Sequence, residues 1–296
     1  MKTISSDNIS FTFDPAHPPV ETALSGETVC FQTRDCYNGQ IDTDGKDFAQ
    51  VDLTWCNPVT GPLYVEGAQP GDVLKVEILD IAPDEEAIMC VRTGKGVYDV
   101  EGCHCRRFPI REGALWFDNG IRIPIRPMIG VIGTCPAQPI DTETPGEHGG
   151  NLDIKNLGVG STVYLPVALP GALLSMGDCH AIQGDGETAI CGAEMCARMT
   201  VRVSVLKGRG KDIPTPLVET ADAILTTSAD VSLDTASTAA ARKMHDYLVR
   251  ATDLTDAQAA MMLSLVGDLR ISQVVNPKKG CIMEFPKKYL GTGEKI

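Results

Sequence analysis

Short apolar runs broken at close intervals by Gly, Pro, Asn and Asp fill the chain from residue 20 to about residue 210, the pattern of strands separated by turns. Thr200-Val-Arg-Val-Ser-Val-Leu206 alternates apolar and polar positions and so predicts one buried and one wetter sheet face. Val73-Leu-Lys-Val-Glu-Ile-Leu-Asp80 alternates less regularly. Further strands are expected at 29–31, 87–91, 128–132, 162–165 and 188–191, with turns at Pro70-Gly71, Asp118-Asn-Gly120 and Lys207-Gly-Arg-Gly210. Helix-length crossover segments are missing from this region. A mainly β architecture of layered antiparallel or mixed sheets is therefore expected, in place of a doubly wound parallel one.

The pattern changes near residue 215. In Ala236-Ser-Thr-Ala-Ala-Ala-Arg-Lys-Met-His-Asp-Tyr-Leu-Val249, the residues Ala240, Met244, Tyr247 and Leu248 fall near one helical face, which predicts a packing stripe. Thr255-Asp-Ala-Gln258 reads as a capping box leading into a second helix, Ala259-Ala-Met-Met-Leu-Ser-Leu-Val266. Cys281-Ile-Met-Glu-Phe285 reads as a final strand. The expected organisation is a β-rich part over 1–214 carrying most of the site, followed by a C-terminal α+β part over 215–296.

Composition narrows the function classes. With 43% hydrophobic and 22% charged residues in 296, the chain is long enough for a full core and has no apolar run of membrane-spanning length. The formal net charge of -13 repels phosphate backbones and anionic lipid, so neither a nucleic-acid nor a membrane partner is expected. The opening Met1-Lys-Thr-Ile-Ser-Ser-Asp-Asn-Ile-Ser10 holds no uninterrupted apolar segment, and a cytoplasmic protein is expected. The 11 cysteines, an odd number without a framework spacing, are expected to be reduced thiols.

The densest chemistry lies in Gly171-Ala-Leu-Leu-Ser-Met-Gly-Asp-Cys-His-Ala-Ile-Gln-Gly-Asp-Gly-Glu187. In an extended chain Asp178 and His180 point to the same side, and Asp185 and Glu187 share that offset after Gly184. Acids and an imidazole in one pocket can hold a divalent ion, which polarises a carbonyl and activates water, while a nearby Glu carries a proton to an amide nitrogen. Plain turns with capping aspartates explain the same letters about as well. A second cluster, His148-Gly-Gly-Asn-Leu-Asp153, offers close backbone approach, an amide donor in Asn151 for an oxyanion and a carboxylate in Asp153. Glu66, Asp35, Asn38 and Asp52 are weaker polar candidates. Cys103-His-Cys105 lacks zinc-finger spacing and is taken as a loop feature. No Gly-x-Ser-x-Gly elbow surrounds Ser175, and Cys179 would face away from Asp178 and His180.

Taken in order along nearly the whole chain, several segments resemble the acetamidase/formamidase family. They include Asn57-Pro-Val-Thr-Gly-Pro62, Pro70-Gly-Asp-Val-Leu-Lys-Val76, Arg122-Ile-Pro-Ile-Arg-Pro-Met-Ile-Gly130, His148-Gly-Gly-Asn151, Gly177-Asp-Cys-His180, Gly184-Asp-Gly-Glu187 and Gly267-Asp-Leu-Arg-Ile-Ser-Gln-Val-Val275. The resemblance implies hydrolysis of short linear amides, formamide or acetamide, to a carboxylic acid and ammonia. It also implies a homodimer or higher homo-oligomer and a bound divalent metal, zinc or alternatively calcium. His148, Asn151, Asp153, Asp178, His180, Asp185 and Glu187 match its polar motif positions. On this reading Glu187, Asn151 and His148 are the catalytic candidates, and His180, Asp178 and Asp153 the metal ligands. Gly102-Cys-His-Cys-Arg-Arg107 departs from the family pattern. The competing readings are a metal-independent amidase and a non-catalytic β domain that binds a small ligand.

Overall fold

The structure is a computed structural model that describes residues 1–42 and 50–290. Two large sheets dominate it, with the helices gathered at the C-terminal end. The first sheet runs in the order Lys2–Ile4, Thr28–Thr33, Ala197–Leu206, Val73–Pro83, Thr162–Pro166, Leu217–Glu219, Ala223–Asp230, Lys279–Pro286 and Asp268–Gln273. At its heart, Ala197–Leu206 pairs antiparallel with both Thr28–Thr33 and Val73–Pro83. Its alternation does what the sequence predicts: Val201 and Val203 are fully buried while Arg198 and Arg202 are exposed. Burying each valine contributes about 1.5–3 kcal/mol relative to exposure. Among the described residues the strand-to-strand pairings are antiparallel apart from two short parallel ones, Lys2–Ile4 with Thr28–Thr33 and Glu21–Ala23 with Val59–Val65, and one isolated parallel bridge joins Gly186 to Gln273. The mainly β, mixed-sheet expectation holds.

The second sheet positions the site. Its central strand, Leu174–His180, is buried at all seven positions and lies antiparallel to Met128–Gly133, Glu194–Met195 and Val59–Val65. Met128–Gly133 also pairs with Gly149–Asn151. Between the sheets sits the main core, with Phe31, Leu74, Ile129, Leu174 and Met176 among its members.

Helix α1, Leu233–Ala251, begins at Ser232, whose hydroxyl accepts from the Thr235 amide, and buries Ala236, Ala240, Met244, Tyr247 and Leu248. That stripe packs with Leu217, Ile224 and Phe285 in a second core. Helix α2, Asp256–Val266, carries the expected Thr255–Gln258 capping box with both reciprocal bonds formed. Thr162–Pro166 pairs with Leu217–Glu219, so strands on either side of position 214 share one sheet. Among the described residues no helix is long and apolar enough to cross a membrane.

Two local expectations fail. Residues 188–191 form no strand: Glu187 just before them is left-handed at φ 42°, and the Thr188 carbonyl accepts from the Val97 amide across a loop. Cys103-His-Cys105 is the start of a strand, Cys103–Arg111, and not a loop; it pairs with Glu86–Arg92 so that Cys105 faces Cys90. Its arginines fall on both faces, Arg106 and Arg107 being neighbours, so the strand shows no clean apolar-polar alternation.

Candidate active site and metal centre

Five ionisable side chains from separate parts of the chain converge at one end of the second sheet. Asp178 and His180 close the Leu174–His180 strand, and Glu194 is the direct cross-strand partner of His180. Asp153 follows the Gly149–Asn151 strand, and Glu187 sits in the loop after Gly186. Three of the acids adopt left-handed backbone, Asp153 at φ 44°, Asp178 at φ 52° and Glu187 at φ 42°. Such backbone on non-glycine residues costs on the order of 1–3 kcal/mol each and concentrates where side chains must be aimed. Gly130 leaves the room: a Cβ there would lie 2.6 Å from Asp153 Oδ1 and 2.6 Å from Asp178 Oδ2.

The protonation pattern of His180 follows from its neighbours. Gln183 Nε2 donates to the carbonyls of Asp153 at 2.8 Å and Ser272 at 3.3 Å, which turns its Oε1 toward His180 Nδ1 at 2.8 Å. Nδ1 therefore carries a hydrogen and donates. The other nitrogen, Nε2, faces carboxylates: Glu194 Oε1 at 3.0 Å, Asp178 Oδ1 at 3.5 Å and Asp153 Oδ1 at 3.9 Å. A bare lone pair among three acids is repulsive, so this nitrogen requires a proton or a cation. Burial alone would lower the His180 pKa, but Glu194 and Asp178 outweigh it and raise it well above the ordinary value. Burial also raises the acids, and Asp178 adds to this: Asp153 reaches about 6 and Glu194 about 8, against the opposing pull of His180. Glu187 is raised well above the carboxylate range by burial and by Asp153.

The centre opens on a cavity of about 370 Å³ lined by Asp153, Asp178, Glu187 and Glu194 together with Cys36, Asn57 and Asn151. Oriented by its hydrogen-bond network, the Asn151 amide donates to Asp178 Oδ2 at 3.1 Å and to Asp153 Oδ2 at 2.9 Å, and accepts from Asn57 and Asn276. Asn276 Nδ2 donates to Asp153 Oδ2 at 2.7 Å. Two groups of side chains bring potential ligand atoms within 4.8 Å of one another: Asp153, His180 and Glu187, and Cys36, Asp178 and Glu194. Oxygens Glu187 Oε2 and Glu194 Oε2 are buried without a hydrogen-bond partner.

Of the residues expected from the sequence, His180, Asp178, Asp153, Glu187 and Asn151 meet at this centre. His148 does not line the cavity: it is buried edge-on against Phe13 at 5.1 Å, and burial, aided by Lys278, lowers its pKa to about 4. Asp185 turns away to ion pairs with Lys155 at 2.6 Å and Arg270 at 2.7 Å. Glu66 is exposed, Asn38 bonds Arg34, and Asp52 caps a short 3-10 turn. Asp35 is buried and accepts from the Tyr37 amide at 2.9 Å, which fixes the turn presenting Cys36. Cys179 faces away, its thiol directed to the Met128 carbonyl. Glu194, Cys36, Gln183, Asn57 and Asn276 escaped the sequence reading. Gln183 and Asn57 lie within quoted segments without being singled out, and Glu194 stands as a lone acid in the apolar Gly192-Ala-Glu-Met195.

Fold and centre together define a layered β protein with a buried acid–imidazole cluster beside a cavity. The chain belongs to the acetamidase/formamidase family, whose model matches residues 4–144 and 137–289. It superimposes on the crystal structure of an acetamidase from Bacillus halodurans with a TM-score of 0.95 and 41% identity, covering 98% of this chain and 100% of that one. It is 33% identical to a candidate formamidase of Schizosaccharomyces pombe over 70% of this chain and 66% of the relative. It is 30% identical to an acetamidase of Mycolicibacterium smegmatis over 66% of this chain and 65% of the relative. The chain thus spans about two thirds of the length of these two curated relatives.

Proposed function

We propose that the protein hydrolyses short linear amides, of the size of formamide or acetamide, to a carboxylic acid and ammonia at this centre. A divalent cation, zinc in preference to calcium, would be held by His180, Asp178 and Asp153. The observation that carries this reading is His180 Nε2, directed by Gln183 at three buried carboxylates beside a cavity. An imidazole with one nitrogen hydrogen-bonded to Gln183 and the other aimed at acids, beside carboxyl oxygens without partners, fits a cation of that class once Nε2 exchanges its proton for the ion. When bound, such an ion supplies Lewis-acid polarisation of the amide carbonyl and a lowered pKa for water.

The protein's own groups do the rest. Glu187 is buried, carries an unpartnered oxygen and lines the cavity, so it is placed to take a proton from the attacking water and deliver it to the departing nitrogen. The C–N bond then breaks and ammonia leaves. Asn151 has its amide hydrogens directed at Asp153 and Asp178, which makes it a positioning residue in place of the oxyanion donor its loop context suggests. His148, behind the cavity wall, supports packing and takes no part in proton transfer. The same reading includes a homo-oligomer, supported by Met261 and Leu265 of α2 and by Leu269 and Ile271 of the edge strand Asp268–Gln273, all exposed. All 11 cysteines are thiols, which supports a reducing, cytoplasmic setting.

An ammonia-release panel with formamide, acetamide and longer amides, run on chelated protein with and without added zinc, tests the reaction. Turnover of the shortest amides that requires the added ion supports the proposal. Full turnover after exhaustive chelation would instead establish the metal-independent route, and no turnover of any amide would favour a ligand-binding role.

A further inference from the structure

The His180 set leaves Cys36 and Glu194 unexplained, and both lie beside Asp178, which the two sets would share. Cys36, Asp178 and Glu194 are 5%, 3% and 1% exposed, and each places one donor atom within 4.8 Å of the other two. Glu194 divides its carboxylate: Oε1 lies 3.0 Å from His180 Nε2, while Oε2 is buried and has no partner. An orphaned buried carboxylate oxygen is costly, and its natural complement is a cation. Geometry points the same way, since four buried carboxyl groups converge on one imidazole, a cluster rich in ligand oxygens with a single basic partner.

Cys36 is also held in place. Asp35 accepts from the Tyr37 amide, and the Cys36 carbonyl accepts from the Asn57 amide at 2.7 Å, so both sides of the residue are anchored. Its side chain lines the same cavity as Asp153 and Glu187.

We propose that Cys36, Asp178 and Glu194 form a second divalent-cation site beside the His180 set, selective for zinc-class ions over calcium or magnesium. The inference rests on the metal reading of the centre and extends it to two ions. Selectivity follows from the donors, since a thiolate favours borderline-soft ions whereas calcium and magnesium take oxygen. On binding, the Cys36 S–H bond breaks, its proton leaves to solvent and a sulfur–metal bond forms, with no change of oxidation state.

Cobalt(II) titration of the chelated protein, followed by bound-metal analysis and near-ultraviolet absorption, reads both sites without reference to activity. The wild type is expected to bind two equivalents and to develop a thiolate-to-cobalt charge-transfer band. Cys36→Ser is expected to bind one equivalent and lose the band; His180→Ala is expected to bind one and keep it. Cys191→Ser, which alters another thiol at the cavity, should retain both equivalents and the band. One equivalent in the wild type overturns the second site, with or without the band. If Cys36→Ser does not fold, that wild-type count and band still decide. No cobalt bound by any form would overturn the metal reading under the proposed function itself.

Discussion

At Gly130 the absence of a side chain is a condition of the centre. A Cβ there would lie 2.6 Å from an oxygen of each of Asp153 and Asp178, both held by surrounding hydrogen bonds. Gly130→Ala is expected to destabilise the protein by about 1–3 kcal/mol through overpacking and to lower its divalent-ion content; thermal melts and metal analysis check both effects. The sequence showed His180, Asp178, Asp153 and Glu187 because each stands in a glycine-rich polar stretch. It could not show Glu194 or Cys36, whose roles arise from pairing across strands and from a turn more than 100 residues away. Asp185 misled because its spacing equals that of Asp178 and His180. The structure turns it outward to Lys155 and Arg270, two cations whose nearness only the fold creates.

Legibility at the level of elements followed solvent exposure. Ala197–Leu206 could be read because one face is wet, and α1 because its stripe repeats at helical spacing. Leu174–His180 is buried at every position and so shows no alternation, although it carries two of the central residues. The capping box of α2 lies far from the chemistry in sequence and is exposed, so Thr255→Ala should lower stability by about 1 kcal/mol with kcat unchanged; urea unfolding and an ammonia assay measure the two. The segment leading into Gly149–Asn151 carries a pH effect. His148 stays neutral in the fold down to about pH 4, whereas an unfolded histidine takes its proton near 6.5. Between those values the unfolded chain binds the extra proton, so stability falls as pH drops. The contribution lost between pH 7 and pH 5 is about 2 kcal/mol. In urea titrations at the two pH values, the wild type should lose more stability than His148→Gln by that amount; equal losses would contradict it.

The whole molecule places a crowded acidic centre inside a large rigid frame of two sheets, and the frame holds it against repulsion. Cation binding should therefore report on global stability. At a free zinc concentration one hundredfold above Kd, each occupied site adds about 2.7 kcal/mol, seen as a raised Tm, and His180→Ala should lose the share of the His180 site. The layered β class was legible from turn spacing and missing crossovers, while the single sheet running through position 214 was not, since strand partners distant in sequence leave no local signal. The account turns on Glu187 moving the proton at this centre. Its most direct test is the rate of ammonia release from formamide by zinc-loaded Glu187→Gln protein whose fold and metal content match the wild type. The account predicts a loss of about 10²-fold or more; a rate within a few fold of wild type would contradict it.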